Sequence, residues 1–397
     1  MKVLRREKYL QQIRPYINKP LIKVLLGQRR VGKSFLLQMI ADELSASGVQ
    51  VIYIDKENYE FDAIIDYRSL NDYIIANTTQ SNVAIIIDEV QEIKDFEKSL
   101  RNFYKRPNVD IYVTGSNANL LSSELATLLS GRLIEIEVFP LDYREFLELN
   151  EAENNEINFE KFLQFGGLAG LSILPEDSRI KREYLQNIYN SILYRDIIKR
   201  NQIRNVAFLE NLVNYIADNV GSQLSAKKIS DYLKSQQIQI SINTVIDYLK
   251  FLVDAFIVRK VKRQDINGKR IFEVGEKYYF EDIGIRNNIV GFSPKDIQKV
   301  YENVVFNHLK SSGYDVKTGA WTDKEIDFIA TKNQEISYFQ VAYLLHEQAT
   351  IDREFGNLLL INDNYPKYVI SQNSFATTNT YKGIHHLTLR QFLFDFS

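Results

Sequence analysis

The 397-residue sequence contains no cysteine. That absence excludes disulfides, thiol nucleophiles and cysteine-based zinc sites together. Histidine is scarce as well, with four residues: His308, His346, His385 and His386. Only the last two are neighbours. Adjacent residues on a strand face opposite ways, so they read as surface or core residues and not as metal ligands. No apolar run approaches the roughly 20 residues that a membrane-spanning helix needs. The opening Met-Lys-Val-Leu-Arg-Arg-Glu-Lys carries charge with no apolar stretch behind it, unlike a secretory leader. A cytoplasmic protein without membrane contact is expected. Pro-rich tracts, Gly/Ser-rich tracts and repeats are also missing, which argues against disorder and against a solenoid. Finally, the chain lacks an excess of either charge. With 49 Lys/Arg against 51 Asp/Glu the net charge is −2, so any attraction to nucleic acid must come from local basic segments.

What is present is an ordinary globular composition, 45% apolar and 25% charged, over a length that suits two to four domains. The run Leu21-Ile-Lys-Val-Leu-Leu26 fits a buried parallel strand. It enters Gly27-Gln-Arg-Arg-Val-Gly-Lys-Ser34, which matches G-x-x-x-x-G-K-[ST], and then a stretch of strong helix formers from Phe35 to Leu44. Strand, loop and helix stand in the order that phosphate binding requires. Gly27 and Gly32 allow a tight turn that brings backbone N–H groups to phosphate, and the helix start aims its positive dipole end at the same anion. The candidate nucleotide contacts are Gly27, Gln28, Arg29, Arg30, Val31, Gly32, Lys33, Ser34 and Phe35. Lys33 is expected to reach the β- and γ-phosphates of ATP, and Ser34 to ligate Mg2+.

Val83-Ala-Ile-Ile-Ile87 is a second buried-strand pattern, ending in Asp88-Glu89. Carboxylates at the C-terminal end of such a strand sit where α/β sheets bind ligands. Asp88 is expected to hold Mg2+ and Glu89 to act as general base toward the attacking water. A third strand, Val109–Val113, runs into Thr114-Gly-Ser-Asn117, placing Ser116 and Asn117 as candidate γ-phosphate sensors. Arg132, before the run Leu133–Val138, has two open readings: a phosphate-sensing guanidinium, or a surface arginine. With a further strand at 50–55, the alternation of strands and helices predicts an α/β fold, a parallel sheet with helices on both faces.

About the first 150 residues resemble the AAA+ class of P-loop ATPases, and more closely a bacterial and archaeal group of AAA-like ATPases. The resemblance rests on Gly27–Ser34, Ile85-Ile-Ile-Asp-Glu89, Thr114-Gly-Ser116, Leu129-Ser-Gly-Arg132 and Phe139-Pro-Leu-Asp-Tyr-Arg-Glu-Phe146. It implies that Lys33, Ser34, Asp88 and Glu89 carry the nucleotide chemistry, with Ser116 or Asn117 in the sensor position. The ATPase domain is expected over residues 1–140 and a helical lid or connector over 141–204.

Residues 205–290 read as helices at Phe208–Val220, Leu224–Leu233 and Ser241–Leu252, then a hairpin of Ile257–Arg263 and Arg270–Val274 turning at Asn267-Gly268. Helix–turn–helix plus a β wing predicts a winged-helix domain. Ten Lys/Arg against four Asp/Glu over 221–270, including Arg259-Lys-Val-Lys-Arg263, suit contact with a phosphate backbone. Winged helices in AAA+-like ATPases also pack on the nucleotide domain and relay its state, so DNA contact and internal relay both stay open.

Residues 295–397 give the order α-β-β-β-α-β, which resembles the restriction-endonuclease-like fold that the same ATPase group carries at its C-terminus. The resemblance implies a metal-binding acid at Asp327 with help from Glu302, and Glu-x-Lys on the following strand. Gln340-Val-Ala342 stands there instead, so a catalytically degenerate domain is expected. Lys324 and Lys332 are the nearest substitutes. Lys324 lies an odd number of residues from Asp327, which on a regular strand faces it the other way. The sequence therefore points to Mg2+-dependent ATP hydrolysis coupled to DNA or a protein partner, with a non-hydrolysing nucleic-acid-binding module or an ATP-regulated nuclease as alternatives.

Overall fold

The computed structural model describes residues 3–118, 129, 131–235, 237–266, 275–321, 324–345, 348–373 and 380–396. The chain divides into two units. The first comprises residues 1–140 with 254–256, and the second 141–253 with 257–397.

In the first unit, α1 (Glu7–Ile13) precedes β1 (Ile22–Leu26), α2 (Lys33–Ala46), β2 (Gln50–Asp55), α3 (Tyr67–Asn77), β3 (Val83–Asp88), α4 (Phe96–Tyr104), β4 (Val109–Gly115) and β5 (Leu133–Glu137). The strands form one parallel sheet in the order β2-β3-β4-β1-β5. β1 and β3 are buried along their whole length, as continuous apolar runs predict for strands covered on both faces. Ile22, Val24, Ile85, Ile87, Ile111 and Val113 pack with Leu70, Ile74, Leu100 and Phe103 from the helices. Parallel pairing aligns Leu26 with Gly115 and Asp55 with Asp88, so the C-terminal ends of β1, β2, β3 and β4 share one edge. At the other edge lies a buried charge on β1, Lys23, paired with Asp110, which also accepts from Tyr112 Oη at 2.6 Å.

The second unit begins with α5 (Tyr143–Asn150), α6 (Glu156–Phe165) and α7 (Ser178–Ser191), which runs on into a π-helical segment, Ile192–Lys199. Then come α8 (Val206–Asp218), α9 (Ala226–Ser235) and α10 (Ile242–Asp254), whose last residue joins the first unit. Ser225 and Ser241 hydroxyls accept from Lys228 N and Thr244 N, capping α9 and α10. β6 (Val258–Val261) pairs antiparallel with β8 (Lys277–Phe280). The Asn267-Gly268 turn and the strand expected at Arg270–Val274 lie outside the described residues. The strand expected through Arg263 breaks at Lys262. Arg263–Asp265 forms β7, which joins the C-terminal sheet by pairing with β9.

Among the described residues that sheet has seven strands. After α11 (Ile283–Val290) and α12 (Ile297–Ser311) come β9 (Asp315–Trp321), β10 (Lys324–Lys332) and β11 (Glu335–Val341). α13 (Gln348–Leu359), β12 (Lys367–Ser371), β13 (Thr380–Tyr381), β14 (Ile384–Thr388) and α14 (Leu389–Asp395) complete the chain. The strand order is β13-β14-β12-β11-β10-β9-β7, with β9, β10 and β11 antiparallel and β12 parallel to β11. No helix among the described residues is long and apolar enough to cross a membrane.

Candidate functional site

The chain leaves β1 at Leu26 and turns sharply. Gly27 has φ 154°, and a Cβ there would lie 2.1 Å from the Val138 carbonyl oxygen, so only glycine fits. Gly32, at φ 96°, is the N-cap of α2, which starts at Lys33. The loop is fastened from behind by Arg6, a buried residue that the sequence did not single out. Its Nη1 donates to the carbonyls of Val31 at 3.0 Å and Phe139 at 2.9 Å. Gln28 is fully buried and donates through Nε2 to the Phe256 carbonyl at 2.8 Å. Arg29 is buried against Glu57 at 2.7 Å, Val31 packs inward, and Arg30, Ser34 and Phe35 face solvent.

Lys33 Nζ donates to the carbonyls of Gly27 and Gln28, each at 2.9 Å, and lies 4.0 Å from a Glu89 oxygen. Asp88 ends β3 and accepts from the hydroxyls of Thr114 and Ser34. Glu89 N donates to Thr114 Oγ1 at 2.9 Å. Burial pushes the Asp88 carboxyl above its ordinary range; the Ser34 and Thr114 bonds oppose that, and the charges of Glu89 and Asp55 add to it. Burial would lift Glu89 too, but Lys33 and Arg29, with bonds from Gln91 and Ser116, outweigh it and leave the carboxyl below its usual value. The two adjacent acids are thus driven apart: Glu89 is held ionised, while Asp88 is short of positive charge. A hydroxyl and such a carboxylate suit a hard divalent cation, which binds oxygen donors.

Ser116 and Asn117, at the end of β4, are buried on this same edge, and Ser116 Oγ accepts from Gln91 Nε2 at 3.2 Å. The edge therefore gathers Lys33, Ser34, Asp88, Glu89, Ser116 and Asn117. Arg132 is not among them. Its carbonyl accepts from Ile22 N, at the start of β1, and its guanidinium lies over the Tyr104 ring, 5.6 Å from the centroid. In a parallel sheet the residue before β5 stands a strand length, about 13 Å, from the loop after β1. The phosphate-sensing reading of Arg132 is corrected accordingly. Sequence reasoning missed Arg6 and Gln91; only the two-residue spacing from Glu89 to Gln91 offered a signal.

A second polar cluster lies within the C-terminal unit. Lys277 on β8, buried, contacts Glu302 at 2.9 Å and Glu325 at 2.5 Å. Tyr279 Oη donates to Glu302 as well. Asp327 Oδ2 accepts from Val341 N at 2.8 Å, and Gln340 Oε1 accepts from Asp327 N at 3.3 Å. Burial lifts the Asp327 carboxyl well above its ordinary range, Glu302 and Glu354 add to that, and Lys277 opposes it. A cation does stand beside these acids, but it comes from residue 277 and not from the strand of Gln340. The register of β10 against β9 shifts between Ile326 and Ile329, so counting residues from Lys324 to Asp327 does not fix their faces. In the basic segment, Arg259 is paired with Glu281 and Lys260 with Glu276.

Residues 19–147 match the model of an AAA domain, and residues 156–296 that of a domain of unknown function (DUF8612). An uncharacterized protein of Haemophilus influenzae is 36% identical over 385 residues, 95% of each chain. One from Methanocaldococcus jannaschii is 30% identical over 82% of this chain and 75% of its own length. The Aeropyrum pernix Orc1 structure in complex with DNA aligns with TM-score 0.34 and 13% identity, over 72% of this chain and 92% of that one. The replication initiator DnaA bound to AMPPCP and single-stranded DNA gives TM-score 0.34 and 17% identity, over 61% and 85%. Likeness at that level is distant and carries no functional weight. The chain belongs to the same family as the Haemophilus and Methanocaldococcus proteins, and its N-terminal part is similar to an AAA domain.

Proposed function

We propose that this family member is an ATPase whose nucleotide state is coupled to DNA or to a protein partner. One observation carries the reading. Lys33, Ser34, Asp88 and Glu89 converge at one edge of a parallel sheet, with Glu89 ionised and 4.0 Å from Lys33. The loop 27–34 and the start of α2 offer backbone N–H groups to the phosphates, and Lys33 exchanges two carbonyl partners for the β- and γ-phosphate oxygens. Ser34 and Asp88 would hold Mg2+, which when bound neutralises phosphate charge. Glu89 accepts a proton from the attacking water while its oxygen bonds to the γ-phosphorus. The bond from the γ-phosphorus to the bridging oxygen breaks, ADP leaves with that oxygen, and Glu89 returns the proton to phosphate or solvent.

Helices α8 to α10 followed by the β6–β8 pair support a winged-helix segment, through which DNA contact or relay would run. The elements α12 to β12 support a nuclease-like domain without cleavage, because Lys277 already pairs with Glu302 and Glu325 and an amide, Gln340, stands where an acid is expected. ATP turnover of the full chain, with and without DNA, tests the reading. Lys33→Ala should weaken ATP binding about tenfold to a hundredfold, as loss of a charge-assisted contact does. Glu89→Gln should keep binding and lose turnover by about 10²–10⁴. Equal turnover in wild type and Glu89→Gln removes the proposal.

A further inference from the structure

Glu89 takes the left-handed conformation, φ 54°, and starts a single 3-10 turn, Val90–Glu92. That kink brings the side chain of Gln91 back alongside the carboxylate two residues before it. Gln91 Nε2 donates to Glu89 Oε2 and, at 3.2 Å, to Ser116 Oγ. The amide orientation follows from chemistry: the carboxylate accepts only, so the NH2 must face it. The opposite end of the amide is then fixed. Gln91 Oε1 is shielded from solvent and has no hydrogen-bond partner among the described residues. A shielded acceptor is stable only with a donor, and Lys33 Nζ is already committed to two loop carbonyls.

We propose that Gln91 is a positioning residue for the hydrolytic water, an inference that rests on the ATPase reading above. Its NH2 group holds the Glu89 carboxylate and the Ser116 hydroxyl in one arrangement. Its Oε1 accepts from the water proton that Glu89 does not take. The water is then oriented by two acceptors two residues apart, and the base is tied to the end of β4.

The test compares ATP turnover and ATP-analogue affinity of wild type, Gln91→Leu and Gln91→Asn. Leucine fills similar space without donor or acceptor. Its kcat should fall about 100-fold, the scale of a lost positioning contact in proton transfer, with analogue Kd within about threefold of wild type. Gln91→Asn keeps donor and acceptor one methylene shorter and should recover about tenfold of that loss. A merely structural role would lower kcat and analogue affinity together. Overturning results are a Gln91→Leu kcat within twofold of wild type, parallel loss of kcat and analogue affinity, or a Gln91→Asn kcat no higher than that of Gln91→Leu. Should Gln91→Leu fail to fold, kcat against analogue Kd in Gln91→Asn decides alone. A wild type that binds the analogue but never turns ATP over removes the ATPase reading itself, which is a different outcome from wild-type turnover that ignores Gln91.

Discussion

Lys277→Met tests the C-terminal cluster most directly. The ammonium sits 2.9 Å from Glu302 and 2.5 Å from Glu325, with side-chain exposures of 5%, 12% and 35% in that order. At an effective dielectric near 20, a pair at the Glu302 distance attracts by about 6 kcal/mol before desolvation, which takes back several kcal/mol per ion. Glu325 is exposed enough that solvent screening leaves it little. The variant keeps the volume but strands Glu302 in the interior with, among the described residues, only the Tyr279 hydroxyl as hydrogen-bond partner. Breaking a buried pair from one side typically costs about 3–5 kcal/mol, and that is the expected loss. The chain has two units, so one midpoint for the whole protein would blur the effect. Amide exchange protection in β10 and β11, which carry Asp327 and Gln340, reads it locally. Adding Glu302→Gln should restore about 2 kcal/mol, because it removes the stranded charge. Protection that changes by less than about 0.5 kcal/mol in Lys277→Met, or two costs that simply add, would refute the argument.

Three further outcomes are expected. No cleavage of single- or double-stranded DNA should occur with Mg2+ or Mn2+, with or without ATP; cutting that vanishes in Asp327→Ala would make the chain a nuclease. If DNA binds through the basic segment, neutralising the exposed Lys262 should flatten the salt dependence more than neutralising Arg259 or Lys260, which are paired with Glu281 and Glu276; equal effects would contradict this. Asp282, buried and capping α11, has its carboxyl pushed up to about 6 by burial, against backbone bonds from Gly167, Ile285 and Gly284. A raised carboxyl stabilises the fold below its unfolded value near 4 and loses that contribution as pH rises through 6, about 3 kcal/mol in all. Asp282→Asn should flatten denaturation midpoints between pH 4 and 7, and an unchanged slope would place the titration elsewhere.

The phosphate loop was legible because its determinants are contiguous. A strand, two glycines with one conformational reason each, and a helix start lie within Ile22–Ala46. The strands of the first unit and the carboxylates after β3 were legible from apolar runs alone. Arg132 was left between two readings although the sequence bore on the choice. A residue that precedes a parallel strand lies at the edge away from a loop that follows one. Arg6 was not legible, since its contact with Val31 spans 25 residues and depends on where α1 packs. Gln91 required the left-handed turn at Glu89, and no glycine or asparagine marked it. Lys277 was hidden by chain order: it precedes Glu302 by 25 residues, and the register shift in β10 defeats counting by pairs.

The two polar clusters differ in what holds them, and that difference bears on which one can exchange partners. In the first unit the hydrogen-bond partners of the key groups are largely uncharged. Lys33 rests on two backbone carbonyls, Asp88 on two hydroxyls, and Glu89 on an amide and a hydroxyl, with Lys33 and Arg29 facing it. Uncharged partners bring no counter-charge of their own, so a polyphosphate can displace the carbonyls and a divalent cation the hydroxyls. The cluster around Glu302 is held by a full counter-charge on the same chain, tethered through β8. An incoming cation would have to displace an ammonium that cannot diffuse away, and would leave that buried ammonium with the more exposed Glu325 as its counter-charge. The first arrangement is built to exchange its partners for ligand. The second resists exchange, so the cluster around Glu302 is expected to act as a structural element.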